Sequence, residues 1–431
     1  MNSTKKLRRY SIYLLMGGAL VVLAVFNNCG KGFQSIGNGN NSASQLVDSN
    51  GSVPSLSGND VMLMQVGGTT QCDSDSYVNE PCTSITICSP NSSSCQTINN
   101  ILVDTGSYGL RIFSSVLTVA LTPENNSSGQ PIAECAQFGT GSDWGPVEMA
   151  SVILGQEPAV QVPVQVINAN YASVPSVCGT PGTATGPDTN PSSAGFNGIL
   201  GVGLFAQDCG SDCTTDTNNQ TYYTCSGSGS KASCSIITVS LAEQVTNPVA
   251  ELPTDNNGVA LVLPTVAFGG ANSTSGYLLL GIGTQVNNTP VGTSTLTADS
   301  TYGEFMTEFA GQSMSGFIDS GSNGYFIPAT SNDPDCTDSN YSGWLCPTSS
   351  YTSTASATGM NGTTSSFQYQ VANAVTLFGY NEFALMNLAG DSSGGQGSYG
   401  DLGLPFFYGK TVYVGIKNTN SSVGTGPYWA F

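Results

Sequence analysis

Two short words in this 431-residue chain hold the residue types that could hydrolyse an amide: Ile101-Leu102-Val103-Asp104-Thr105-Gly106-Ser107 and Gly316-Phe317-Ile318-Asp319-Ser320-Gly321-Ser322. Each is an apolar run that ends in an aspartate, a small hydroxyl residue, a glycine and a serine. A single copy in a Ser-, Thr- and Gly-rich chain reads as a surface turn. A pair is different, because two carboxylates at hydrogen-bonding distance cannot both ionise and come to share one proton. The ionised member can then take a proton from water while the protonated member polarises a carbonyl. Such a pair needs no metal and no cofactor, and none is expected here. The chain contains no histidine at all, which excludes Ser-His-Asp and Cys-His catalysis and every His-ligated metal site.

The elements that must hold these words are strands. Val160, Val162, Val164 and Val166 alternate with Gln161, Pro163 and Gln165, the pattern of a half-buried strand, and Pro163 assigns it to a sheet edge. Val412, Val414 and Ile416 alternate in the same way. One short helix is expected over 238–245, ended by Asn247-Pro248. The repeat also extends beyond the aspartate words. Gly198-Ile199-Leu200-Gly201-Val202-Gly203-Leu204-Phe205 follows the first, and Gly400-Asp401-Leu402-Gly403-Leu404-Pro405-Phe406-Phe407 follows the second at a similar distance. Both read Gly-x-Leu-Gly-apolar-x-apolar-Phe, the mark of a duplicated β-lobe.

Taken together, over roughly residues 60 to 431, these words resemble the pepsin-like, two-lobed aspartic peptidases, in particular a bacterial lipoprotein-type branch whose first motif continues Gly-Leu-Arg, here Gly109-Leu110-Arg111. The resemblance implies an all-β, pepsin-like double β-barrel with an internal pseudo-two-fold repeat and a cleft between the lobes. It implies Asp104 and Asp319 as the catalytic pair, Thr105 and Ser320 as inner hydroxyls that tie the loops together, and Ser107 and Ser322 as outer hydroxyls on the carboxylates. Gly106 and Gly321 allow the loops their close approach. A cleft-covering hairpin that reads Tyr-Gly-Thr-Gly-Ser in the family corresponds to Phe138-Gly139-Thr140-Gly141-Ser142. Phe138 lacks the hydroxyl that bonds a tryptophan in the family, and Arg111 stands where that tryptophan would be. Arg111 either stacks on Phe138, meets a substrate carboxylate, or forms a strand-surface ion pair with a nearby acid.

Lys5, Lys6, Arg8 and Arg9 precede an apolar run from Ile12 to Phe26, which reads as an export signal rather than a membrane anchor. Phe26-Asn27-Asn28-Cys29 resembles a lipoprotein processing box, with Cys29 as the lipidated residue. An ordinary secreted protein is the alternative. Removing Cys29 from the 13 cysteines leaves an even number for disulfides in an oxidising compartment. Cys72/Cys82, Cys88/Cys95, Cys225/Cys234 and Cys336/Cys346 lie close together in sequence, with Cys209 and Cys213 closer still, so most bridges should pin local loops, although spacing alone does not fix the pairing. The expected organisation is a signal peptide over 1–28, a lipid-anchored tether over 29–59, an N-terminal lobe over 60–275 with the hairpin, and a C-terminal lobe over 276–431. Past residue 28 the chain carries five basic residues against 28 acidic ones, a balance that excludes nucleic acid as a partner. The expected partners are a peptide or protein substrate and, through the N-terminal lipid, a bacterial membrane, with the outer membrane expected; a monomer is expected. The functional alternatives are a catalytically silent envelope-binding protein on the same scaffold and a disulfide-rich structural or adhesive β-protein.

Overall fold

A computed structural model describes residues 46–431 except 74–75, 140, 184–185, 227–228, 230–231 and 393–398. Cys29 and the export segment lie outside the described residues, as does Thr140 of the hairpin. The described chain is all-β with only short helical turns. Its strands form a 16-stranded sheet and a 7-stranded sheet, with a small two-stranded pair.

Eight strands make the repeat. In the first half they are β1 (Cys95–Asp104), β2 (Tyr108–Phe113), β3 (Val160–Ile167) and β4 (Gly198–Val202). In the second half they are β5 (Gln312–Ile318), β6 (Tyr325–Ile327), β7 (Ala389–Asp391) and β8 (Gly400–Leu402). The spatial orders are β3-β2-β4-β1 and β7-β6-β8-β5. The senses also agree: β4 runs parallel to β1 and antiparallel to β2, with β3 parallel to β2. In the second half β8 runs parallel to β5 and antiparallel to β6, with β7 parallel to β6. In both halves the aspartate loop is therefore the turn between two strands that embrace a third, and that third strand is the apolar-Gly word.

Alternation along β1 explains why an aspartate ends it. Ile101 and Val103 point into the main core, whereas Leu102 points into a second cluster with Phe113, Phe138 and Ile199. Each such aliphatic, fully buried, contributes about 1.5–3 kcal/mol relative to exposure. The main core is continuous across the repeat, taking in Val103, Leu110 and Leu200 from one half and Ile318, Leu402 and Leu404 from the other. A layer of antiparallel strands joins the halves: Val61–Val66 pairs with Thr274–Leu280, and Gly258–Leu263 pairs with both Thr274–Leu280 and Lys410–Gly415. The expected lobe boundary at 275/276 falls inside Thr274–Leu280.

Two local expectations are corrected. The helix expected over 238–245 is a single 3-10 turn, Leu241–Glu243, capped by Ser240 and Glu243. The chain leaves it because Gln244 is recruited to tertiary bonds with both backbone groups of Gly210 (2.7 and 2.8 Å), and Val245 N donates to the Tyr222 hydroxyl. Strand β3 is not an edge, since it lies between β2 and Gly141–Ile153. Pro163 is accommodated because pairing with β2 begins only at Gln165, and its carbonyl accepts from Thr246 N at 3.1 Å. Nor is Gln165 on a solvent face: it is fully buried and donates to the carbonyls of Glu134 and Asp143.

Candidate active site

The two aspartate loops have matching local bonding. Gly106 N donates to Asp104 Oδ1 and Gly321 N to Asp319 Oδ1, both at 2.8 Å. Ser107 Oγ donates to Asp104 Oδ2 at 2.5 Å, and Ser322 Oγ lies 2.8 Å from Asp319 Oδ2. The apolar-Gly words support both loops in the same manner: Gly203 N donates to Ser107 O at 3.0 Å, and Leu404 N donates to Ser322 O at 2.7 Å. A Cβ on Gly201 would sit 2.6 Å from Tyr108 N, and one on Gly403 would sit 2.1 Å from Gly324 O. Only glycine lets these strands close on the loops.

Across the repeat the loops are tied by four buried hydrogen bonds. Thr105 N donates to Ser320 Oγ (3.1 Å), and Ser320 N donates to Thr105 Oγ1 (2.9 Å). Each hydroxyl passes its own proton to the opposite strand, Thr105 to Ile318 O (2.9 Å) and Ser320 to Val103 O (2.7 Å). Loops more than 200 residues apart are thus held in one reciprocal knot. It brings the carboxylates into mutual contact: a Cβ on Gly106 would lie 2.5 Å from Asp319 Cγ, and one on Gly321 would lie 2.7 Å from Asp104 Oδ1. All eight loop positions named from the sequence, residues 104–107 and 319–322, therefore meet in one place.

Both carboxylates are nearly enclosed, with Asp104 6% and Asp319 2% exposed. Burial raises the Asp319 carboxyl well above the usual range, and the like charges of Asp104 and Asp401 raise it further; the Ser322 hydroxyl opposes them. Asp319 therefore resists ionisation in this site. The Tyr108 hydroxyl is held neutral by burial and then by the two aspartates, which places a neutral phenol within the field of the pair.

The hairpin Ile132–Phe138/Gly141–Ile153 turns through Gly139. Phe138 is buried, packed with Leu102, Phe113 and Ile199. The Cys135–Cys178 bridge and the Ser142 Oγ bond to Cys178 O (2.6 Å) fasten the hairpin near its tip. Arg111 does lie over the Phe138 ring, 5.7 Å from its centroid. Its charge, however, is committed inward: Nη2 meets Glu134 Oε1 at 2.7 Å and Asp208 Oδ2 at 3.1 Å, and Nη1 donates to Tyr108 O at 2.7 Å. At 3% exposure it is neither a surface ion pair nor placed to meet a substrate carboxylate. Burial would pull its proton off, but Glu134 and Asp208 more than offset that. This ion pair ties the hairpin to the backbone just past the first aspartate loop.

Two groups of the site escaped sequence reasoning. Tyr108 follows the first motif immediately, but one tyrosine among 18 carries no signal by itself. Asp401 stands inside the second apolar-Gly word, 1% exposed, with Oδ2 2.6 Å from Ser322 Oγ. A carboxylate interrupting an otherwise apolar word was the available signal.

All 12 cysteines in the described residues are paired: 72–82, 88–95, 135–178, 209–213, 225–234 and 336–346. Five of these bridges are local, as expected, and together they fit an exported protein in an oxidising compartment. A family model described as "Protein of unknown function (DUF3443)" matches residues 57–431. Among curated proteins, none matches the chain.

Proposed function

The chain belongs to the DUF3443 family, and we propose that it is an exported aspartic endopeptidase of pepsin-like, two-lobed architecture. The observation that carries this reading is the reciprocal Thr105/Ser320 knot, with each loop glycine lying against the opposite loop's carboxylate. A pair of chance surface turns has no reason to share one buried hydrogen-bond lattice. In this reading the pair holds one proton, on Asp319. Asp104 takes a proton from a water as the water oxygen attacks the scissile carbonyl carbon, while Asp319 gives its proton to the carbonyl oxygen. Collapse of the tetrahedral intermediate breaks the C–N bond as the amine takes up the proton held on Asp104, and the hydroxyl proton returns to the pair. Burial strengthens each of these electrostatic contacts.

Phe138 favours a second reading: its ring is packed into the first-half cluster, and it lacks the hydroxyl that its counterpart uses in pepsin-like enzymes. A silent peptide-binding protein on the same scaffold would tolerate that change. Cleavage of a denatured protein substrate, blocked by a statine-type inhibitor, supports the enzyme; inhibitor binding without cleavage selects the binding protein. The N-terminal signal and Cys29 support attachment to the bacterial envelope. Acyl labelling that disappears in Cys29→Ser tests this, and an unmodified mature N-terminus would make the protein simply secreted.

A further inference from the structure

Ser322 Oγ lies within hydrogen-bonding distance of two carboxylates at once, 2.8 Å from Asp319 Oδ2 and 2.6 Å from Asp401 Oδ2. A hydroxyl has one proton, so it donates to one of these oxygens and must accept from the other, and a carboxyl oxygen donates only when protonated. Asp319, Ser322 and Asp401 are all at most 2% exposed. The backbone of Asp401 is fixed on both sides, opposite Phe317 on β5 and Phe326 on β6.

We infer that Asp401 is a positioning residue of the aspartate pair, sharing a proton with Asp319 through the Ser322 hydroxyl. In one arrangement Asp401 Oδ2–H donates to Ser322 Oγ, and Ser322 O–H donates to Asp319 Oδ2, whose other oxygen carries the pair's shared proton. In the other, Asp319 Oδ2–H donates to Ser322 and Ser322 donates to ionised Asp401. Interconversion breaks the Asp401 O–H and Ser322 O–H bonds and forms new Ser322 O–H and Asp319 O–H bonds, so one proton moves with no net change in the number held. The site is then three carboxylates that hold protons jointly. With the pair's own shared proton between Asp104 and Asp319, two protons serve the Ser322 contacts and the pair, and the three carboxylates together keep one negative charge.

The charges around Asp401 are consistent with this. Asp319 faces it through Ser322, with Asp104 and the neutral Tyr108 hydroxyl beyond. β6 contributes Tyr325, kept neutral by burial, and Glu304, just before the strand Phe305–Phe309, acts on both Tyr108 and Tyr399 with its own carboxyl raised by burial. The raised carboxyl of Asp319 owes part of its shift to Asp401, after burial and Asp104.

The catalytic consequence rests on the endopeptidase reading, but the proton count does not. Infrared spectroscopy of protein labelled with ¹³C-carboxyl aspartate, at neutral pH, counts protonated aspartic carboxyls directly. Asp401→Asn should lose one such carboxyl relative to wild type, with Asp208→Asn as the reference for a raised aspartate outside the site. In an active enzyme the same variant should move the alkaline limb of the pH–kcat/KM profile to lower pH by about one unit, because removing a nearby like charge lets the pair ionise earlier. An unchanged carboxyl count, or an unmoved limb in an active enzyme, overturns the inference. If wild type proves inactive, the endopeptidase reading fails and the count still decides this one. Should Asp401→Asn not fold, Ser322→Ala removes the intervening hydroxyl and must shift the same carboxyl band; an unshifted band overturns the inference.

Discussion

Replacing Thr105 with valine removes one hydroxyl and leaves the side-chain volume almost unchanged, so its effect isolates the knot between the loops. Two bonds disappear, Ser320 N to Thr105 Oγ1 and Thr105 Oγ1 to Ile318 O. Their partners are left unsatisfied where Thr105 is 1% and Ser320 0% exposed. A buried polar group without a partner costs about 1–3 kcal/mol, so two predict a loss of about 2–6 kcal/mol. Ser320→Ala orphans Thr105 N and Val103 O and should lose a similar amount. The double variant should lose less than the sum, because once the loops part, water reaches all four groups; neighbouring residues couple by about 0.5–3 kcal/mol. Urea unfolding followed by tryptophan fluorescence, with disulfides intact, measures each value. A Thr105→Val loss below about 1 kcal/mol, or strict additivity in the double variant, would refute the claim that these hydroxyls hold the two halves of the site together.

Other outcomes follow from the same geometry. Asp319→Asn should be at least as stable as wild type at neutral pH: the raised carboxyl contributes stability that is present below the ordinary carboxylate range and lost as pH rises through its folded value, and thermal unfolding from pH ~4 to ~7 should show a flatter dependence in the variant. Arg111→Met leaves Glu134 and Asp208 buried without their cation and should cost about 3–5 kcal/mol, with part of the loss recovered at acid pH; an effect under about 1 kcal/mol would place the charge outside the hairpin's support. Cys135→Ser with Cys178→Ser opens a 43-residue loop and should cost about 4 kcal/mol on loop entropy, the largest loss among the six bridges. Gly106→Ala drives a methyl to 2.5 Å from Asp319 Cγ and should lower kcat by at least about 10²-fold; near-wild-type turnover would mean the loops do not meet as described.

The parts of the fold and site legible in the sequence are those fixed by near neighbours. Ser107 and Ser322 reach their aspartates across three residues, and Gly106 and Gly321 across two, so residue type and order carry the loop geometry. The repeated Gly-x-Leu-Gly words were legible because close backbone packing demands glycine in both halves. Where distant partners decide, the sequence was silent. Arg111 has one acid 23 residues away and another 97 away, so its burial could not be told from a surface pair or a substrate contact. The Cys135–Cys178 bridge had no local spacing to reveal it. Residues 241–243 form a turn instead of a longer helix because Gln244 and Val245 are recruited by residues far away in the chain. Asp401 was overlooked because a repeat match rewards the positions that agree, whereas its carboxylate stands where the first word has the apolar Ile199.

The central claim is that Asp104 and Asp319 act as one proton-sharing pair that hydrolyses peptide bonds. Its most direct measurement is proteomic cleavage-site profiling of the purified mature protein at several pH values, run beside Asp104→Asn and Asp319→Asn proteins. The account predicts new peptide termini from wild type, suppressed by a statine-type inhibitor and fading as pH rises through the pair's upper apparent pKa, with both variants silent although folded. Either variant retaining more than about a hundredth of wild-type kcat would contradict it, since a general base contributes ~10²–10⁴-fold.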